Sequence, residues 1–290
     1  MSGPLVWLDY DQAALDRQYD QRTLVPDSAR ITDRYDVESE RVRKEIDAKL
    51  DVPYGPTADE VVDVFPAARP GGPVVVFVHG GAWARQHKDN YSFVAEHLTK
   101  AGCAVVVTNF ALVPAVTLDE LVRQNRAATA WAWRNARAFG ADPDRLFVAG
   151  HSSGGHVAAM LVSTDWAEFG LPADAVKGGV ALSGMYDLEP VRLSARNNYL
   201  KLDAAAARRN SPIHHIPPRP IPMIVGHGDG ELAEFQRHSR EYAAAWAARG
   251  YPCTPFEFKG QNHFEVCFEY AKPDSALFRA MVDMMGLARG

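Results

Sequence analysis

The stretch Leu146-Phe-Val-Ala-Gly150-His151-Ser152-Ser153-Gly154-Gly155-His156 sets a serine between glycines two positions away on either side. A serine hydroxyl is a poor nucleophile at neutral pH and attacks a carbonyl carbon only when a base takes its proton. The apolar run before it and His156-Val-Ala-Ala-Met-Leu161 after it predict a sharp strand-to-helix turn that lifts the Ser152 hydroxyl clear of the backbone. Such a turn strains the serine backbone and leaves room only for small residues at Gly150 and Gly154. Ser153 lacks the glycine pair at those offsets, since His151 stands two positions before it. Its N–H, immediately after Ser152, stands where a developing oxyanion needs a donor. A phosphate-binding reading of these glycines lacks the lysine of a G-x-x-x-x-G-K-[ST] loop.

A second stretch, Val74-Val-Val-Phe-Val-His79-Gly80-Gly81-Ala82-Trp83, is an apolar run opening into a glycine pair. Without a Cβ in the way, the amide of Gly81, with that of Gly80 or Ala82, can approach an oxyanion and act with Ser153. A plain turn is the alternative. Trp83 is a candidate wall for the acyl or leaving-group pocket, with core burial as its alternative.

The base is expected late in the chain, after the acid. His263, in Phe258-Lys-Gly-Gln-Asn-His263-Phe264, fits. His79 and His151 lie inside the glycine motifs and are expected to shape turns; His214 and His215 sit in a proline-rich connection, and His97 on a helical face. The segment Pro222-Met-Ile-Val-Gly226-His-Gly228-Asp229-Gly230-Glu231 offers two carboxylates, Asp229 and Glu231, either of which could accept from His263 Nδ1–H. No histidine pair has zinc-ligand spacing beside a carboxylate, and no metal or organic cofactor is expected.

These residues need a frame. Short apolar runs at Val61–Phe65, Val74–Val78, Ala104–Phe110, Leu146–Ala149, Gly178–Leu182, Pro222–Val225 and Thr254–Phe258 read as strands. Several lack polar alternation, as strands covered on both faces do. Helices are expected at Leu118–Ala138, Gly154–Ser163, Glu231–Ala248 and Ser275–Leu287, and before them at Asp11–Arg22 and Ser28–Lys49, with Ser28 as N-cap. Alternating strands and helices predict an α/β fold, a mostly parallel sheet between helix layers. Its site lies beyond the strands' carboxyl ends. Residues 1–49 read as an N-terminal helical segment and candidate cap, and residues 50–290 as the catalytic domain; a structural arm is the other reading of the segment.

The 290 residues are 47% hydrophobic and 23% charged, with a formal net charge of −5. That is the composition of a globular protein with a full core, and it argues against nucleic-acid or acidic-membrane partners. Cys103, Cys253 and Cys267 form no C-x-x-C pair, so free thiols of a reducing cytoplasm are expected. The N-terminus lacks the features of a signal peptide, and no run is long enough to span a bilayer.

The residues also resemble a known family. His79-Gly-Gly-Ala-Trp83 is similar to the H-G-G-x-W motif of the kynurenine formamidase (arylformamidase) branch of the α/β-hydrolases, related to hormone-sensitive-lipase-like esterases. The likeness continues through Ser183-Gly-Met-Tyr-Asp-Leu-Glu-Pro190, Arg209-Asn-Ser-Pro212, Glu231 to Ser239 and Asn262-His-Phe264. It implies an eight-stranded α/β-hydrolase sheet. Its acid precedes a Glu-Phe pair by three residues, which favours Glu231 over Asp229. It further implies a small ester or an aryl formamide such as N-formylkynurenine as substrate, with a small-ester carboxylesterase the first reading and an arylformamidase the second. Receptor-like members of the fold typically lose a member of the triad, whereas all three types of residue are present here. Tyr186 and Asn197 are candidate substrate contacts, and a homodimer is the candidate assembly.

Overall fold

A computed structural model describes residues 3–288. Its centre is an eight-stranded sheet of β1 (Lys49–Pro53), β2 (Val61–Phe65), β3 (Gly72–Val78), β4 (Ala104–Thr108), β5 (Ala141–His151), β6 (Val176–Leu182), β7 (Met223–Gly228) and β8 (Cys253–Phe258). The strand order is β8-β7-β6-β5-β3-β4-β2-β1; β2 runs antiparallel to both its neighbours, and the other pairs are parallel. This is the α/β-hydrolase fold.

The unbroken valine runs are explained by what covers them. On β3, Val74, Val76 and Val78 enter one core layer, with α4 (Leu118–Asn135), α5 (Ser153–Val162) and α9 (Ala233–Ala248). Val75 and Phe77 enter the opposite layer, with α2 (Ser28–Glu45), α3 (Ala95–Lys100) and α10 (Ala276–Met284). Each strand residue alternates its face, and both faces are apolar, so no polar alternation survives.

The edges depart from expectation. Helix α2 ends at Glu45, and Lys49 belongs to strand β1 instead. That strand is mostly exposed and carries no apolar alternation, so periodicity could not reveal it. Ser28 is the first residue of α2, not its cap; Asp27 takes the cap position without a side-chain hydrogen bond. The first helix is shorter than expected, α1 (Gln12–Gln18), capped by the Asp11 carboxylate accepting from Ala14 N–H. A small hairpin, Leu5–Trp7 with Tyr10–Asp11, precedes it. Three short helices, α6 (Glu189–Leu193), α7 (Asn197–Leu200) and α8 (Ala204–Arg209), follow β6 where no helix was expected.

Near the β1 edge, Asp51, Asp63 and Asp89 lie close enough together to hold a cation. The cation they hold is the buried Lys88 ammonium, 2.6, 2.9 and 2.8 Å from their oxygens. All three cysteines are free thiols. Among the described residues no helix is long and apolar enough to cross a membrane.

Candidate active site

Strand β5 ends at His151 and α5 begins at Ser153, which leaves Ser152 alone in the turn with φ 59° and ψ −126°. A non-glycine residue there is strained, and the packing holds it. Its N–H donates to Leu182 O at 2.9 Å. A Cβ at Gly150 would stand 2.2 Å from Gly154 O, and one at Gly154 would stand 2.1 Å from Val78 O. The glycines are therefore required by close approach of backbone to backbone, and Gly154 seats the turn against the end of β3.

His263 arrives on the loop after β8. The Asn262 side-chain oxygen accepts from the N–H groups of Phe264 and Glu265, closing a tight turn that aims the imidazole inward. His263 Nε2 is 2.9 Å from Ser152 Oγ, and its Nδ1 is 2.9 Å from Glu231 Oε2. All three side chains are buried. The other Glu231 oxygen accepts from the Ser183 hydroxyl at 2.6 Å and from Gly228 N–H at 2.7 Å. A carboxylate that meets three donors is held in place.

Asp229 faces elsewhere: its carboxylate accepts from Gly260 N–H at 2.7 Å. Of the two carboxylates, only Glu231 meets the imidazole.

In the Gly80–Trp83 loop, Gly81, Ala82 and Trp83 all have positive φ, at 112°, 55° and 60°. A Cβ at Gly81 would lie 2.0 Å from Arg85 O. Gly80 packs against the Ser152 Cβ, and its backbone faces the Tyr91 phenol. Gly81 and Ala82 line the cleft above Ser152.

Two expected substrate contacts lie elsewhere. Trp83 is buried behind the loop, where its indole N–H donates to His156 Nδ1 at 3.1 Å. Tyr186 is also buried, stacked on Tyr242, with its hydroxyl donating to Ala181 O. Neither lines the cleft. Both rings are large and apolar, and the core claims them. Asn197 is spent on its own loop, bonding the N–H and carbonyl of Leu202.

The cleft has a volume of about 650 Å³, and the N-terminal segment forms much of its wall through residues such as Tyr19, Gln21, Arg22 and Tyr35. This segment is fastened down at several points. Tyr35 OH donates to Phe264 O, beside His263. Arg196, from the loop before α7, donates twice to Tyr19 O, at 3.0 and 2.7 Å. Gln21 and Gln18 accept the N–H groups of Leu232 and Glu234 at the start of α9. Sequence reasoning overlooked Ser183, Gln18, Gln21 and Arg196. Ser183 alone left a trace, its place at the carboxyl end of a strand.

Burial keeps the histidines around this centre neutral. It pushes His79 and His156 down to about 4, and His151 and His238 well below the ordinary range. His156 shows why: Nδ1 accepts from Trp83 while Nε2–H donates to Asn210 O at 2.7 Å, so a second ring proton would break the first bond. In the unfolded chain these imidazoles titrate near pH ~6.5. Their folded values are depressed, so the stability they contribute is complete above that pH and is lost as pH falls toward about 4. Each contributes a slope of up to roughly 1 kcal/mol per pH unit in that window. Thermal melts should show Tm falling steeply between about pH 6.5 and 4.5; a flat Tm across the window would contradict neutral burial.

The chain can be set beside known proteins. The BD-FAE family profile matches residues 63–241. The kynurenine formamidase of Danio rerio is 29% identical over 255 residues, covering 86% of this chain and 85% of that protein. Esterase LipQ of Mycobacterium tuberculosis is 25% identical and covers 83% of this chain and 62% of its own length. Among solved structures, a putative thioesterase from Silicibacter sp. TM1040 superposes with a TM-score of 0.81 at 27% identity, covering 91% of this chain and 97% of that one. An esterase from Pyrobaculum calidifontis, at 19% identity and a TM-score of 0.71, shares the fold over 92% of this chain and 97% of its own.

Proposed function

This chain belongs to the BD-FAE family of α/β-hydrolases, and from that membership and the geometry above we propose that it is a serine hydrolase cleaving small carboxylic esters through an acyl-enzyme. The observation that carries the reading is the continuous contact from Glu231 Oε2 to His263 Nδ1 and from His263 Nε2 to Ser152 Oγ, each 2.9 Å. In the proposed cycle His263 takes the Ser152 proton as Oγ attacks the acyl carbon. Glu231 holds the Nδ1–H tautomer and stabilises the imidazolium. The imidazolium then protonates the leaving group. Water, activated by the same histidine, attacks the acyl-serine, and Ser152 is restored.

The N–H groups of Ser153 and of Gly81 or Ala82 serve as oxyanion donors in this reading. The Gly80 amide, turned toward Tyr91, is the weaker candidate. The N-terminal segment acts as a cap, since its side chains wall the cleft over Ser152.

A second reading, hydrolysis of an aryl formamide, is favoured by the likeness to the Danio rerio kynurenine formamidase over most of both chains. The two need the same attack and the same oxyanion, and differ in the leaving group. One panel tests all of this: p-nitrophenyl esters from acetate to decanoate, with N-formylkynurenine beside them. Turnover that is highest for short acyl chains and falls with length supports the capped esterase. Turnover of the formamide alone overturns it in favour of the second reading, and constant turnover up to decanoate removes the cap.

A further inference from the structure

Three consecutive residues of the glycine loop, Gly81, Ala82 and Trp83, take left-handed backbone, with φ 112°, 55° and 60°. Glycine adopts that region freely. Alanine and tryptophan hold it only where their neighbours fix them there. Two of the three carbonyls are held by main-chain bonds: Gly81 O accepts from Ala84 N–H at 3.1 Å and Trp83 O from Val113 N–H at 2.9 Å. Ala82 O has a single partner among the described residues, the Tyr199 hydroxyl, which donates to it at 3.2 Å.

That bond selects an orientation. A half-turn of the Ala82–Trp83 peptide would carry the Trp83 φ from 60° into the ordinary negative range and relieve strain. It would also swing Ala82 O away from Tyr199, and the carbonyl of a buried residue would lose its donor. The hydroxyl therefore opposes the flip. The residue it holds sits where the chemistry needs order, since the N–H of Ala82 or of Gly81 acts with that of Ser153 in the reading above.

Tyr199 is itself anchored. It stands on the four-residue helix α7, 117 residues from Ala82 along the chain. Arg196 ties the start of this helix to Tyr19 O, and the Asn197 side chain closes on the N–H and carbonyl of Leu202 beyond its end. The half-buried ring packs on the core and borders the cleft beside Ser152. Phenylalanine would satisfy that packing equally well; the hydroxyl adds the bond to the loop.

We propose that Tyr199 is a positioning residue of the oxyanion hole: its hydroxyl keeps the Ala82–Trp83 peptide in the orientation in which the loop's N–H groups face the developing oxyanion. The proposal rests on the hydrolase reading above and deepens it. It gives the short helices after β6 a part in the chemistry as well as in the wall.

The test is Tyr199→Phe, which keeps the ring and removes the hydroxyl. Attack and deacylation each pass through an oxyanion, so kcat on p-nitrophenyl acetate should fall whichever step limits it. The expected loss is about 5- to 10-fold, the range of one hydrogen bond, with KM within about twofold of wild type. The Ki of an aryl trifluoromethyl ketone, whose adduct with Ser152 carries the same oxyanion, should rise by a similar factor. Binding of p-nitrophenyl ethyl ether, which has no carbonyl, should not change. Tm should stay within about 4 °C of wild type.

An unchanged kcat would overturn the proposal, as would a fall in kcat with no change in the Ki of the ketone. A loss shared by KM and by the ether would also overturn it, because Tyr199 would then be a wall of the cleft and nothing more. A wild-type protein that cleaves no aryl ester and is not labelled at Ser152 by a fluorophosphonate would instead refute the hydrolase reading.

Discussion

Replacing Ser152 with alanine is expected to lower kcat/KM on an aryl acetate by about five to six orders of magnitude and to abolish labelling by a fluorophosphonate. The residue attacks the acyl carbon in the proposed cycle, and no neighbour can substitute. Ser153, the adjacent hydroxyl, is buried at the first position of α5, and the imidazole of His263 meets Ser152 Oγ instead. The fold should not change. Alanine keeps the Cβ that packs near Gly80 and meets the same positive φ that serine meets. Circular dichroism and Tm within about 2 °C of wild type, combined with lost activity, is the expected pair of results. Labelling that persists in Ser152→Ala would place the nucleophile elsewhere.

The second large effect belongs to the acid. Glu231→Gln should reduce kcat by about 10³–10⁴-fold, while Asp229→Asn should change it less than about threefold. The reason is a count of donors. Glu231 accepts from His263 Nδ1–H, the Ser183 hydroxyl and Gly228 N–H. Glutamine keeps the shape but has one accepting oxygen and a donating NH₂. If the oxygen serves Ser183 and Gly228, the NH₂ meets His263 Nδ1 and drives the ring into the tautomer whose Nε2 is already protonated. That imidazole cannot take the Ser152 proton. Asp229 serves only Gly260 N–H and the exposed Lys259, about 3.8 Å away. Stopped-flow hydrolysis of p-nitrophenyl acetate by both variants decides the matter; a larger loss in Asp229→Asn would reverse the assignment.

Much of this was legible from residues alone, because the signals were local. The Gly150–Gly154 spacing reflects backbone contacts a few ångströms long, and a Cβ at either glycine would meet a carbonyl. The strands of the sheet centre declared themselves through valine runs buried on both faces. Glu231 was separated from Asp229 by resemblance, since both stand in one turn after one strand; their different partners are set by β8 and its loop, about 30 residues away along the chain.

What sequence missed was long-range or mixed in character. Strand β1 has only Val52 half-buried and gave no period to read. The short helices α6 to α8 each hold too few residues to display one. Trp83 reads from sequence as either a cleft wall or core, and Tyr186 as a candidate substrate contact. Each found a hydrogen-bond partner in the interior and was enclosed there.

The glutamines that accept the first N–H groups of α9 carry one more implication. Leu232 and Glu234 lie within the three residues after Glu231, and their amides are satisfied from more than 200 residues upstream. Trimming the protein's beginning would therefore strip donors of their acceptors at the very base of the carboxylate's turn. A shortened enzyme with poor turnover would then report a displaced proton acceptor, and not simply an uncovered entrance.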